Sequence, residues 1–164
     1  MSKLTLSDWA HIAEIFTSVI VIISLVYVGL EVNQNTQSLQ NESYLNVMER
    51  LTDQDLALAA NEDLHRIVMV ANTSPTDVSA EEWSRYVYYT FPRFGMWEYL
   101  YLAKQQNAIN DFQWLAFDPY FRGFICSKGS LRFWEENQSA YATNFRVYLN
   151  TKIVPECSEQ KSES

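Results

Sequence analysis

The longest uninterrupted apolar stretch of the chain lies near its N-terminus. Residues 15–30 read IFTSVIVIISLVYVGL and contain no charged side chain. As a helix this run is about 24 Å long, and extending it back to Trp9 gives about 33 Å, close to a hydrocarbon core of roughly 30 Å. Trp9 and Tyr27 stand near the two ends, where amphipathic rings favour the lipid headgroups. The pattern predicts one transmembrane helix within an N-terminal segment of residues 1–31.

A cleaved signal peptide and a buried core helix are the alternatives for this stretch. Residues 30–33 read LEVN, which does not provide the small-x-small site that a signal peptidase needs. The dense β-branched residues without an interruption favour a span over a core helix. We therefore expect a single-pass protein of the cell inner (plasma) membrane, with the lipid bilayer as its first partner.

The polar residues of the predicted span fall mainly on one side of a helical wheel. Together with two valines on the same side, these polar residues are spaced alternately three and four apart, which is the pattern of a heptad seam. Lipid satisfies neither a hydroxyl nor a carboxylate, so this side predicts contact with protein or water, and the simplest partner is a second copy of the chain. The alternatives are a wider ring forming a membrane pore, or hydroxyls that bond back to their own helix. We call this set the seam: Glu14, Thr17, Val21, Ser24, Val28 and Glu31.

The remainder of the chain predicts helices. No segment of useful length alternates with period two, so the fold class is all-α. The span continues into a helical stalk (32–60), followed by a small aromatic-rich bundle (61–154) and a flexible tail (155–164). Ser79 and Glu82 form a capping box. Asp118 with a following proline predicts a helix restart, and Gly129 predicts a helix end.

Composition narrows the function classes. The 164 residues suit one domain, 15% of them are aromatic, and the net charge of −8 excludes a general nucleic-acid binder. The two cysteines fit neither a Cys-rich zinc site nor a disulfide framework. Cys126 is interpreted as a small buried apolar residue, and whether it pairs with Cys157 is left open.

The sequence carries no familiar catalytic motif. It has neither a phosphate-binding glycine loop nor a nucleophile elbow, and only two histidines. One Glu-x-x-His step, from Glu62 to His65, lacks the second copy that a di-iron bundle needs. We expect no cofactor and no metal, and interpret the protein as a non-enzymatic anchored scaffold or interaction module. The alternative is a membrane-anchored enzyme with its site around Arg93. Tyr89, Arg93 and Trp97 are spaced one helical turn apart, so they form either one wall of a ligand pocket or a plain cluster of the core.

Several short motifs, spread over most of the chain, carry a resemblance to other proteins. Their residues are Trp9, Glu14, Ile15, Leu25, Val26, Tyr27, Leu30, Asn33, Asn35, Thr36, Arg93, Phe94, Phe133, Trp134, Tyr141, Phe145 and Tyr148. In this order the set resembles a family of uncharacterised bacterial single-pass, membrane-anchored α-helical proteins, whose span is followed by an Asn/Gln/Thr-rich stalk. Ala13 stands where that family has glycine, and Asn33 and Gln37 stand where it has arginine. The resemblance implies an architecture and no activity.

Two arguments bear on the orientation of the domain. Lys3 precedes the span and the next basic residue is Arg50, so the positive-inside rule alone places the N-terminus in the cytoplasm and the domain outside. The family resemblance instead implies a cytoplasmic domain, and this is the orientation that we expect.

Overall fold

Helices account for all the regular structure in residues 6–159, the part of the chain that the computed structural model describes. The predicted all-α fold is confirmed. The elements are α1 (Leu6–Ala60), α2 (Glu62–Thr73), α3 (Ala80–Gln105), α4 (Asp111–Ile125), α5 (Lys128–Asn137), a 3₁₀ turn (Gln138–Ala140), α6 (Thr143–Tyr148), a π-helical turn (Leu149–Ile153) and α7 (Val154–Glu159).

The chain divides into two units, Met1–Asn41 and Glu42–Ser164. In the first unit every side chain from residue 14 to residue 39 is exposed. By length and composition α1 is able to cross a membrane, and none of its most apolar window is buried. The apolar run therefore fits a membrane anchor, and a signal sequence or the core helix of a soluble protein passes the same test of length and composition.

The second unit is built around a core of aromatic side chains. Helix α3 lies at its centre and is covered by α2, α4, α5 and α6. Val47 and Leu51 from the last part of α1 are buried in the same core. Ring pairs with centroids about 5–6 Å apart fill the interior, which is the usual range for tilted and stacked aromatics. The largest fully buried side chains are Trp97, Tyr86, Phe94, Phe121, Phe133 and Phe145.

Polar side chains fix where the helices of this unit begin. The predicted capping box is present: Ser79 N donates to Glu82 Oε2 at 2.8 Å, and Glu82 N donates to Ser79 Oγ at 3.2 Å. A second box between Asn110 and Gln113 starts α4. Because each box satisfies two backbone groups at a helix start, both helices have defined first residues.

Two predicted helix boundaries are wrong. Pro119 lies inside an uninterrupted α4, and Asp118 is a buried acceptor for Arg122 Nε and for Tyr148 Oη at 3.0 Å rather than an N-cap. Gly129 lies in the first turn of α5, where a Cβ would stand 2.7 Å from Ala71 O. Both signals came from local sequence, and tertiary contacts decided the outcome.

Parts of the predicted stalk and of the predicted tail belong to the folded helical unit. Residues 42–60 belong to the second unit, so of the predicted stalk only residues 32–41 lie outside that unit. The predicted flexible tail (155–164) begins inside α7 (Val154–Glu159), and Cys157 within it is buried. The second unit therefore begins at Glu42, within the predicted stalk.

Candidate functional site

The six residues of the seam are all exposed on α1. Ser24 Oγ donates to Ile20 O at 2.8 Å, so its hydroxyl is satisfied within the helix. His11 Nδ1 lies 3.9 Å from Glu14 Oε2, one turn apart. Glu14 and Glu31 stand about 25 Å apart along a helix with 1.5 Å rise per residue. The seam is thus a continuous uncovered face with a carboxylate at each end.

The second candidate set is centred on Arg93 of α3, which is only 3% exposed. Its guanidinium lies 4.6 Å from the ring centre of Tyr89, as the one-turn spacing predicted, and 5.6 Å from that of Phe124. Its terminal nitrogens donate to Asp55 of α1 and to Tyr120 of α4. Arg93 therefore joins three helices through one buried charge.

The charge of Arg93 is kept by its partners. Burial opposes ionisation, but the hydrogen bond to Asp55 and the nearby Tyr89 and Tyr120 outweigh it, so the pKa of Arg93 lies above its ordinary value. Burial raises the pKa of Tyr89 to about 12, so Tyr89 stays neutral beside the cation. A neutral tyrosine and an ion-paired arginine are groups that hold structure together, because neither is poised to exchange a proton near neutral pH.

Trp97, the third member of this set, belongs to the aromatic core. Its side chain is fully buried and stacks on Phe121 at 5.5 Å between centroids. The structure therefore brings Tyr89 and Arg93 together and assigns Trp97 to the aromatic core. Sequence reasoning missed Asp55 and Tyr120, which are 38 and 27 residues away from Arg93, and no local signal announces either.

A groove of the second unit lies beside this set. Its volume is about 630 Å³, and it separates residues 46–54 of α1 from residues 92–99 of α3. Arg93 does not line it, and its lining contains neither histidine nor cysteine. The polar groups along it come from Asn46, Arg50, Asp53, Gln54 and Tyr99. Their chemistry suits hydrogen bonding and offers no nucleophile paired with a base.

Cys126 and Cys157 form a disulfide with a Cα–Cα distance of 5.0 Å. The bond joins the end of α4 to α7 across 31 residues of sequence. The interpretation of Cys126 as a plain buried apolar residue is wrong. Its partner is remote in sequence, which is why two isolated cysteines gave no framework signal.

Among residues 6–159 no three or more His, Cys, Asp or Glu side chains come together in a metal-binding arrangement. Glu62 and His65, the single Glu-x-x-His step, are both exposed in the first turn of α2.

Comparison with known proteins adds no assignment to this geometry. No family model matches the chain, and neither the curated proteins nor the solved structures contain a significant match. The family resemblance drawn from the sequence remains a prediction. The functional argument therefore depends on the exposed apolar helix, the seam and the disulfide.

Proposed function

We propose that this protein is a non-enzymatic, single-pass membrane protein that presents its helical unit as an anchored interaction module. The observation that carries the proposal is the exposure of the apolar segment. Phe16, Ile23 and Leu25 are each more than 60% exposed, and the described part of the chain offers nothing to cover them. Sixteen uncharged residues left bare in this way need a solvent other than water, and a bilayer supplies one.

The anchor is tested by placing a charge in it. Ile23→Lys is expected to reduce the membrane-bound fraction strongly, because a lysine at a span centre costs about 2.5–3.5 kcal/mol of insertion free energy. The measurement is alkaline carbonate extraction of membranes. Val147→Lys is the matched control, since Val147 is 55% exposed on the helical unit. Release of the unaltered protein into the supernatant would contradict the proposal.

The disulfide supports an orientation opposite to the one that the family resemblance implies. Disulfides persist in oxidising compartments and are rare in the cytosol. A bond between Cys126 and Cys157 therefore favours a helical unit on the outer side of the inner membrane, the side that Lys3 also favours. We include this orientation in the proposal.

Cysteine accessibility tests the orientation. Ser139 is exposed on the 3₁₀ turn, so Ser139→Cys is expected to react with a membrane-impermeant maleimide in intact spheroplasts. Ser2→Cys, on the other side of the span, is expected to react only after lysis. The reverse pattern would place the helical unit in the cytoplasm and would contradict this part of the proposal.

Self-association through the seam is the third part of the proposal. It is supported by the placement of Glu14 and Glu31 on one face of α1, because lipid does not solvate a carboxylate. Thr17→Cys and Ser24→Cys are expected to cross-link between chains in membranes, whereas Ile23→Cys on the opposite face should not. Equal cross-linking at all three positions would contradict the seam.

A pore is the wider form of the same assembly. Rings of Glu14 and Glu31 would favour cations, and Val21 and Val28 would form the dry constrictions between them. Conductance in planar bilayers that changes with Val21→Ser would favour the pore. A confirmed oligomer without conductance would leave a packed anchor.

A further inference from the structure

One end of the helical unit lies close to Glu42, the first residue of that unit, and the other end lies far from it. Tyr99 Oη donates to Ser43 Oγ at 3.2 Å, while Arg93, six residues earlier, pairs with Asp55. Helix α3 therefore runs antiparallel to residues 42–60, and its C-terminal end lies beside Glu42. The turn between α3 and α4 and the first turns of α4 lie at this same end. We call residues 104–116 the proximal tip.

The proximal tip exposes large apolar side chains. Phe112 is 79% exposed and Leu115 is 65% exposed, the first of these being the highest exposure of any large apolar residue described. On the same helix Gln113 is buried, where its side chain closes the capping box with Asn110. The first turns of α4 thus leave two large apolar side chains exposed, although Trp114 on the same helix packs against the core.

Charge is scarce at the proximal tip. Residues 105–110 read QQNAIN and carry none, and the ammonium of Lys104 pairs with Asp111. At the opposite end, the first turns of α2 and α3 carry four carboxylates, from Glu62, Asp63, Glu81 and Glu82, with Arg66 and Arg85 among them. The proximal tip therefore carries no charge apart from the Lys104–Asp111 pair, whereas the opposite end carries several charges.

The chain itself brings one apolar partner close to the proximal tip. Eleven residues, 31–41, connect the uncharged run to Glu42, and even fully extended they reach only about 36–40 Å. A tether of this length keeps the helical unit at high effective concentration beside the bilayer. Amphipathic helix faces with exposed aromatic and aliphatic residues bind at the boundary of headgroups and acyl chains.

We propose that the proximal tip rests on the bilayer surface, with Phe112 and Leu115 inserted among the lipid headgroups. The inference depends on the proposed membrane anchor and adds a second contact between this protein and its membrane. The Lys104–Asp111 pair has no net charge, so it does not oppose contact of the tip with the bilayer. Anionic lipid repels the carboxylates at the opposite end, which therefore faces away from the membrane. The bilayer thereby holds the helical unit in one orientation for a partner.

The test uses the full-length oxidised protein, in which the native cysteines are joined and do not react with maleimides. Phe112→Cys, Tyr88→Cys and Ile23→Cys each receive an environment-sensitive fluorophore and are reconstituted in phosphatidylcholine–phosphatidylglycerol vesicles. Tyr88, 76% exposed and lining a groove with Arg85 on the half of α3 farther from Glu42, is the matched control for Phe112. Nitroxide lipids, labelled either shallowly or deeply, then quench whichever probe they contact.

We expect the shallow nitroxide to quench the probe at residue 112 at least twofold more than the probe at residue 88, and the deep nitroxide to quench the probe at residue 23. Quenching at residue 23 with equal, weak quenching at residues 112 and 88 would overturn this inference and leave the anchor standing. No quenching at residue 23 would overturn the anchor and this inference together. Shielding at residue 112 without lipid quenching, lost on dilution into excess lipid, would assign the face to a second copy and overturn the inference.

A second measurement separates the side chains of the tip from the attached dye. A probe on Ala108→Cys, which is exposed in the turn, is expected to be quenched in the otherwise unaltered protein. Adding Phe112→Ser and Leu115→Ser should remove at least half of that quenching, whereas Phe112→Trp should retain it. Unchanged quenching in the double serine variant would show that these two residues do not make the contact.

Discussion

The apolar segment of residues 15–30 and helix α3 are both rich in large hydrophobic side chains, yet one is bare and the other is covered. Phe16 is 66% exposed, whereas Phe94 and Trp97 are fully buried. Helix α3 interleaves charged and apolar positions, so one side faces the core and the other faces water. The apolar segment is hydrophobic around most of its circumference, so a single covering layer of protein does not satisfy it. Hydrophobicity alone therefore does not tell where a helix is buried, whereas its angular distribution does.

The same contrast exists within α1. From residue 14 to residue 39 its side chains are exposed, while Val47 and Leu51 are buried against the bundle. One helix thus supplies both a bare apolar segment and a wall of the aromatic core. The experiments below vary one region and use the other as reference, beginning with the largest expected effect.

Truncation of a large aromatic side chain should affect the free energy of unfolding very differently in the core and in the apolar segment. Trp97→Ala is expected to lower the free energy of unfolding of the helical unit by about 3–5 kcal/mol, because it leaves a large cavity beside Phe121. Phe16→Ala should change it by less than about 0.5 kcal/mol, since Phe16 has no covering residues. Denaturant unfolding of the full chain in detergent measures both. Equal losses would mean that the apolar segment is part of the same folded core.

Breaking the disulfide should weaken the helical unit alone. Reducing Cys126–Cys157 frees a loop across 31 residues, which is expected to cost about 2–4 kcal/mol. The measurement is the thermal midpoint with and without dithiothreitol, together with carbonate extraction as the readout of the anchor. Membrane retention should be unchanged. A Cys126→Ser, Cys157→Ser protein must show no response to reductant; a response there, or none in the unaltered protein, would contradict the assignment.

Two helical glycines of the second unit provide a matched pair. Gly129→Ala places a Cβ 2.7 Å from Ala71 O and 2.7 Å from Tyr86 Oη, and we expect a loss of about 1–3 kcal/mol. Gly123 has nothing within 4 Å of the equivalent position, so Gly123→Ala is expected to stabilise by about 0.5–1 kcal/mol through helix propensity. Denaturant midpoints of the two variants should shift in opposite directions. A loss at Gly123 would reveal a neighbour on α4 that the isolated chain lacks.

The smallest effect is expected from acid at the cap of α3. The backbone N–H of Ser79, with Arg66 and the Ser79 hydroxyl, lowers the pKa of Glu82 from 4.5 to about 2. The stabilisation by Glu82 is therefore fully present above about pH 4.5 and is lost as the pH falls towards 2. Glu82→Gln should be less stable than the unaltered protein at pH 7, and the gap should close between pH 4.5 and 2. Glu81→Gln, at the exposed neighbouring position, is the control, and a gap independent of pH would contradict the role of the carboxylate.

Features governed by neighbours in sequence could be predicted. The capping box of Ser79 and Glu82 needs residues three apart, and the contact of Arg93 with Tyr89 needs residues four apart on one helix. Both are set by helix geometry as soon as the helix forms. The apolar segment is likewise a local property, since its length and lack of charge can be counted directly.

Features governed by residues far apart in sequence were decided by the tertiary structure. Asp55 and Tyr120 reach Arg93 from two other helices, and Cys126 meets Cys157 only after α5 and α6 have folded back. Proline and glycine signals failed at residues 119 and 129 for the same reason, because packing overrode local preference there. The sequence by itself determined the helical fold class, the capping box of α3 and the apolar segment. Only the packed structure decided which charges were buried together and which cysteines joined, since those pairings depend on helix crossings that no local pattern encodes.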